Sequence, residues 1–275
     1  MVTNPKITVP VKKHILLERI LVMGITGSGK SYQWLKLADD LRESGAQFYV
    51  IDTDNDITYM LYTQFPQCAP ENGGNVHVFP AYDWPQYKTA FEAIKKVNPR
   101  PQDWIVVDKI NHAWSTVQRY FIKEVFKDNM GEYFLMVRKK MEEAKKKGDK
   151  TDASISTEAM DSWIDWPVIN NMYADWIAPL VYQTQCHVYC TTDVEEINKK
   201  EKNAEIKEMF GNFGVKPAGQ KNLGGQFHSI FLYLPGRGKW YIKTIKDRAG
   251  RAYFDEAALY SFFGQYLVAK ANWEV

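Results

Sequence analysis

Cysteine is scarce: Cys68, Cys186 and Cys190 are the three in a chain of 275 residues. The count is odd and no pair has CxxC spacing, which argues against a disulfide framework or a zinc site and fits a reducing compartment. Cys186 and Cys190 flank the apolar "HVY" and are expected in the core. An excess of one charge is missing too. Lys and Arg number 35 against 33 acids, a net of +2. No global basic field advertises a nucleic-acid binder, so any such surface is local. No apolar run has the length of a signal peptide or membrane span, and no repeat or low-complexity tract occurs. What remains is a globular protein, expected in the cytoplasm, with the ordinary 45% hydrophobic and 25% charged content.

The apolar pattern predicts alternating strands and helices. "HILLERILVMG" reads as a strand, and "KSYQWLKLADDLRESG" as an amphipathic helix closed by Gly45. "AQFYVIDTDND" and "NVHVFPAYDW" read as further strands, "YKTAFEAIKKVN" as a helix, and "DWIVVDKINHAW" as a fully buried strand. Such alternation implies a mostly parallel sheet with right-handed crossovers, one α/β domain over 1–275. Residues 115–165 read as a helical insertion with a mobile tip near 145–156, and 193–223 as a polar, mobile loop region. "WPVINNMYADWIAPLVYQ" is a helix on the sheet and "CHVYCTT" a strand; Trp163, just before that helix, and Trp166 and Trp176 within it are expected to pack. A β-hairpin across "PGRGK" and a terminal helix complete the chain.

Between the first strand and its helix stands Gly24-Ile-Thr-Gly-Ser-Gly-Lys30-Ser31, which satisfies G-x-x-x-x-G-K-S/T. Glycines let backbone N–H groups turn inward around phosphates, and the helix N-terminus adds its positive dipole end. Gly24, Thr26, Gly27, Ser28, Gly29, Lys30, Ser31 and Tyr32 are therefore the expected nucleotide-binding residues. Lys30 would neutralise the β- and γ-phosphates of ATP, and the Ser31 hydroxyl would ligate Mg²⁺. The second metal residue is Asp108, which follows the four apolar residues of "WIVVD". In ring ATPases of the AAA+ type a glutamate usually follows that acid; here Lys109 does, and a protonated lysine is no base. The acids ending the second strand are Asp52, Asp54 and Asp56, with Asp56 also suited to cap the next helix.

With these residues the chain resembles the RecA-type recombinase core over most of Ile20 to Phe254, the insertions excepted. The resemblance places Asp54 where the family's acid polarises the attacking water, one methylene shorter than the usual glutamate. It places Thr191 or Thr192, at the end of "HVYCTT", as the γ-phosphate sensor, with Thr192 carried as the catalytic candidate. It maps a DNA-binding loop onto 193–223. On the last hairpin, Lys246 and Arg248 take the places of two cations that reach into a neighbouring subunit's ATP site. Length and the helical insertion look most like P-loop ATPases encoded by bacteriophages beside recombination and single-strand-binding genes. The resemblance implies an oligomeric, Mg²⁺-dependent ATPase acting on single-stranded DNA, with a single-strand-binding protein as a further partner and the host cytoplasm as its compartment.

Lysines in "RKKMEEAKKKGDK" and "NKKEKNAEIKE" alternate with acids, as on solvated helix faces. Lys216, Lys221 and Gly224-Gly225 suit a phosphate backbone better, and Phe210 and Phe213 either stack on bases or anchor the loop. Two other functions fit the residues: a nucleotide-gated assembly protein with little hydrolysis, and a DNA packaging or unwinding motor.

Overall fold

Strands that are apolar at every position should lie in the middle of a sheet covered on both faces, and the four most continuous apolar runs do. In the computed structural model, which describes residues 16–146, 160, 164–198, 200–271 and 273, these are β1 (Arg19–Gly24), β2 (Phe48–Asp52), β4 (Trp104–Asp108) and β5 (His187–Thr192), buried throughout. With β3 (Val76–Pro80), β8 (Ser229–Gly236), β9 (Lys239–Asp247) and β10 (Ala257–Leu259) they form one eight-stranded sheet in the order β10-β9-β8-β1-β5-β4-β2-β3. Pairing is parallel from β8 through to β3, and antiparallel at β8–β9 and β9–β10. The mostly parallel α/β sheet and the hairpin across "PGRGK" agree with the sequence.

Alternate residues of each strand enter two separate cores. Leu21 and Met23 of β1 face α3 (Trp84–Val97), α4 (Ile110–Phe126) and α6 (Asp165–Ala178). Ile20 and Val22 face α1 (Lys30–Asp40), α2 (Ile57–Gln64) and the wide helical turn Phe263–Val268 that stands where a terminal helix was expected. Gly45, at φ +75°, ends the short turn after α1 as anticipated. Asp56 sits at the start of α2 without capping it through its side chain. The three cysteines are buried and free.

Two stretches differ in detail from expectation. α4 starts directly after β4 and buries Val117, Phe121 and Ile122, so the beginning of 115–165 is a core helix. α5 (Met130–Lys146) follows; the expected tip lies largely outside the described residues, as does Trp163. Trp176 is buried, whereas Trp166 is 36% exposed and stacks on Trp114. Within 193–223, β6 (Val194–Glu196) pairs antiparallel with β7 (Val215–Pro217), and α7 (Ala204–Phe210) lies between them. Ile206 and Phe210, one helical turn apart, are buried and fasten this excursion to the main core. Among the described residues no helix is long and apolar enough to cross a membrane.

The sheet's amino-terminal edge holds a buried acid-sensitive group. His187 accepts the Glu18 N–H at Nδ1 (2.9 Å) and stacks between Trp104 and Trp273. Burial first, then the Arg19 cation, push its pKa down to about 3. An unfolded histidine takes its proton near pH 6.5, so the folded state loses stability as pH falls from there toward 3, by an amount on the order of 4 kcal/mol at the acid end. Melting curves at pH 7 and pH 4.5 should show a smaller acid loss for His187→Gln than for the wild type. Equal losses would mean that other groups govern acid unfolding.

Candidate nucleotide site

The carboxyl ends of the parallel strands are where ligands settle in an open α/β sheet, at the point where crossovers change direction. β1 delivers Gly24 to that edge, the turn 25–29 follows, and α1 starts at Lys30. Gly27 and Gly29 take φ of +80° and +86°, which side chains resist. Gly24 is needed for another reason: a Cβ there would stand 2.4 Å from Ser28 Oγ and 2.6 Å from the Tyr233 carbonyl. A phosphate-sized anion suits this turn. Ser28 Oγ is buried without a partner, and the space beside Gly27 is open.

Lys30 is 5% exposed and donates to the carbonyls of Gly24 (2.6 Å) and Ile25 (3.1 Å) and to Asp193 Oδ1 (3.3 Å). Burial lowers its pKa, and Asp193 opposes that. Asp193 comes straight after β5, and β5 is the neighbour of β1, with Met23 opposite Thr192. Asn111, in the first turn of α4, holds Asp193 from the other side through its Nδ2 (3.2 Å) and Oδ1. Thr192, expected to sense a phosphate, donates instead to the Ala218 carbonyl (3.1 Å) and faces Asn111. Asp193 and Asn111 are site residues that sequence reasoning missed.

Asp108 ends β4 at the same edge and is 1% exposed. Its carboxylate accepts from Trp34 Nε1 (2.8 Å) and from the Thr191 hydroxyl, and the Ser31 hydroxyl is near enough to help lower its pKa. Burial raises its pKa and these donors restrain the rise. Thr191 thus fixes the Asp108 carboxylate. The meeting of Ser31 with Asp108 fits a Mg²⁺ ion, with one hydroxyl for its inner sphere and one acid behind it. Among the described residues no three His, Cys, Asp or Glu side chains form a group that could hold a metal ion.

Beside them, β2 carries Asp52 opposite Asp108. Asp52 receives the N–H groups of Asp54 (3.4 Å) and Asn55 (3.1 Å), while its Oδ2 is buried without a partner. Burial, with Asp54 and Asp108 nearby, pushes it up to about 6. Asp54 lies 2.7 Å from Lys109 Nζ. Lys109, which directly follows Asp108, is therefore paired with the candidate water-polarising acid.

The hairpin tip reaches the turn as well. Trp240 at the start of β9 donates from Nε1 to the Gly27 carbonyl (3.0 Å), packs against Gly29 and tilts on the ring of Tyr32, which also meets Phe65 edge-on. Nothing in the local sequence marks Trp240, 213 positions from Gly27. Lys246 is at the far end of the same strand and Arg248 directly follows it. Lys246 pairs in register with Ile230, whereas Ile242 is level with Gly24 through Tyr233. They stand about 13 Å or more along β9 from the turn and donate to the carbonyls of Gly224 (3.2 Å) and Gly225 (3.5 Å). Burial, then Arg248, push Lys246 down to about 8. Neither cation serves its own chain's turn.

Other residues expected to meet nucleic acid are partly committed. Lys216 is paired with Glu195 (2.6 Å), Phe210 is buried and Phe213 packs against the core. Lys221 is exposed.

Comparison with known proteins bears on the same residues. No curated protein matches the chain. Among solved structures, the crystal structure of the RadB recombinase is similar at 15% identity and a TM-score of 0.47, over 87% of this chain and 86% of that one. A family described as an AAA domain matches residues 18–135, which hold β1, the glycine turn, α1, β2 and β4. Over that stretch the chain is similar to an AAA domain, and the match supports a P-loop nucleotide-binding core.

Proposed function

We propose that the protein is a Mg²⁺-dependent ATPase that works as an oligomer on single-stranded DNA, in phage recombination, repair or replication. The observation that carries its first half is the convergence of Lys30, Ser31 and Asp108 at one strand edge, with Asp54 across from them. Backbone amides of the turn and Lys30 hold the β- and γ-phosphates. Bound Mg²⁺ would neutralise phosphate charge, with Ser31 and Asp108 as its protein partners. Asp54 orients a water whose oxygen bonds to the γ-phosphorus as the bond to the β–γ bridging oxygen breaks. ADP leaves with that electron pair, and the water's proton passes to the carboxylate. Lys246 and Arg248 would stabilise the transferred group only from an adjacent subunit, because their own turn is out of reach.

The test is phosphate release against protein concentration. Specific activity should rise as dilute protein assembles, and Lys246→Ala should remove that rise. A constant specific activity across the assembly range would dispose of the trans cations. One feature favours a second reading, a nucleotide-gated protein with slow hydrolysis: the pairing of Asp54 with Lys109 withholds the acid that should activate water. Magnesium-dependent ATP uptake with no phosphate release above background would select it.

A further inference from the structure

We infer that Lys109 is a second phosphate-binding lysine of this site, supplied by the same chain. It leaves Asp54 for the terminal phosphate and so makes the site distinguish triphosphate from diphosphate. The inference rests on the nucleotide-binding reading above and adds to it a residue with no counterpart in the glycine turn.

Lys109 is held at the base by its backbone and at the tip by a single ion pair. Its N–H donates to Thr53 Oγ1 (2.8 Å), its carbonyl accepts from the same hydroxyl (3.2 Å), and His112 Nδ1 holds that hydroxyl at 3.0 Å. Only the Nζ pairs with Asp54, at 2.7 Å, so two of its three N–H donors remain for another ligand. The side chain is 20% exposed and Asp54 18%, a pair at the rim of the site rather than a sealed core contact.

Charge makes the second lysine necessary. Asp52, Asp54, Asp108 and Asp193 all face this edge, and Lys30 alone would answer them there. Burial on its own would lower the Lys109 pKa, but Asp54, with Asp193 and Asp108 behind it, raises it. Lys30 pairs with Asp193 and Lys109 with Asp54, so each lysine answers a different acid of this edge. A diphosphate held in the glycine turn adds charge beside Lys30. A γ-phosphate adds further negative charge at an edge that already carries Asp54 and Asp193, and like charge opposes it. Transfer of Lys109 from Asp54 to that phosphate replaces one ion pair by another and leaves Asp54 free to accept from water. The ground-state pair and the hydrolytic arrangement are then two positions of one side chain.

The simpler role is a fixed counter-charge for Asp54, and binding measurements separate the two. With Mg²⁺ present, Lys109→Met should weaken uptake of a non-hydrolysable ATP analogue by tenfold or more and change ADP uptake less than twofold. Asp54→Asn, which frees Lys109, should raise the preference for the analogue over ADP. The double variant should lack that preference, as Lys109→Met does. An unchanged analogue-to-ADP ratio in Lys109→Met, or recovery of the ratio in the double variant, overturns the inference. If Lys109→Met does not fold, Lys109→Gln, which removes the charge and keeps a polar tip, takes its place, and the analogue-to-ADP ratio is read in the same way. Wild-type protein that takes up neither nucleotide would overturn the nucleotide reading itself; uptake of both with an unaltered ratio overturns Lys109 only.

Discussion

Lys30→Ala should bind Mg²⁺-ATP at least a hundredfold more weakly than the wild type, with a nearly unchanged melting temperature in the absence of nucleotide. The two halves of this result have separate causes. Lys30 is almost fully buried and its ammonium is disfavoured by that burial. Two carbonyls and Asp193 offset the penalty, so deletion removes a penalty and its compensation together. Asp193 keeps the Asn111 amide as a donor, and Ile25 is 52% exposed, so water can reach its carbonyl. The net change in stability should be within about 1 kcal/mol. A phosphate has no such substitute. Hydrogen bonds to charged groups contribute about 1.5–3 kcal/mol each, and Lys30 is placed to serve two phosphates, which makes a hundredfold the lower expectation. Titration calorimetry and melting curves, with and without nucleotide, read both halves. Uptake within threefold of the wild type would show that the turn does not hold a triphosphate through this lysine.

How much of this site the sequence displays depends on the range of each constraint. The glycine turn is legible because its demands are local: a strand, two positive-φ glycines, a close approach at Gly24 and a helix start within a dozen residues. Asp108 is legible because four apolar residues before it announce a buried strand. Asp193 follows "HVYCTT" just as plainly, but its importance comes from β5 lying beside β1, which joins residues 163 apart. Trp240 depends on a hairpin folding back over the turn. Asp54 and Lys109 could each be singled out from the sequence, and their pairing could not, because it follows from β2 and β4 being neighbours.

Polar composition misled in one region. Residues 193–223 are rich in Lys, Glu and Asn, which reads as a loop, yet Ile206 and Phe210 sufficed to fasten a short helix, and β6 and β7 close on each other around it. Asp193 is the first residue of this excursion and touches Lys30. The register of β9 adds a second long-range relation, since one strand carries Trp240 at its own turn and Lys246 at the opposite edge.

Replacing Asp108 should separate folding from chemistry most sharply. As a carboxylate it can only accept, and its donors are Trp34 and Thr191. In Asp108→Asn the amide oxygen can stay on Trp34, whose indole can only donate, while the amide nitrogen turns to Thr191, whose hydroxyl can reverse and accept. A buried charge disappears at the same time, so the melting temperature should move by no more than a few degrees, corresponding to about 1 kcal/mol. Asp108→Ala lacks this escape and leaves the buried Trp34 N–H without a partner, at a cost of about 1–3 kcal/mol. The order of stability should therefore be wild type close to Asn, with Ala below both. Metal dependence should follow a different order. Both variants lose the acid behind Ser31, and the Mg²⁺ concentration for half-maximal ATP uptake should rise by about 10–100-fold in each. Phosphate release at fixed Mg²⁺ should drop in parallel. Were Asp108→Asn to need no more magnesium than the wild type, Asp108 would be only the hydrogen-bond partner of Trp34 and Thr191, and the metal would have to be held elsewhere.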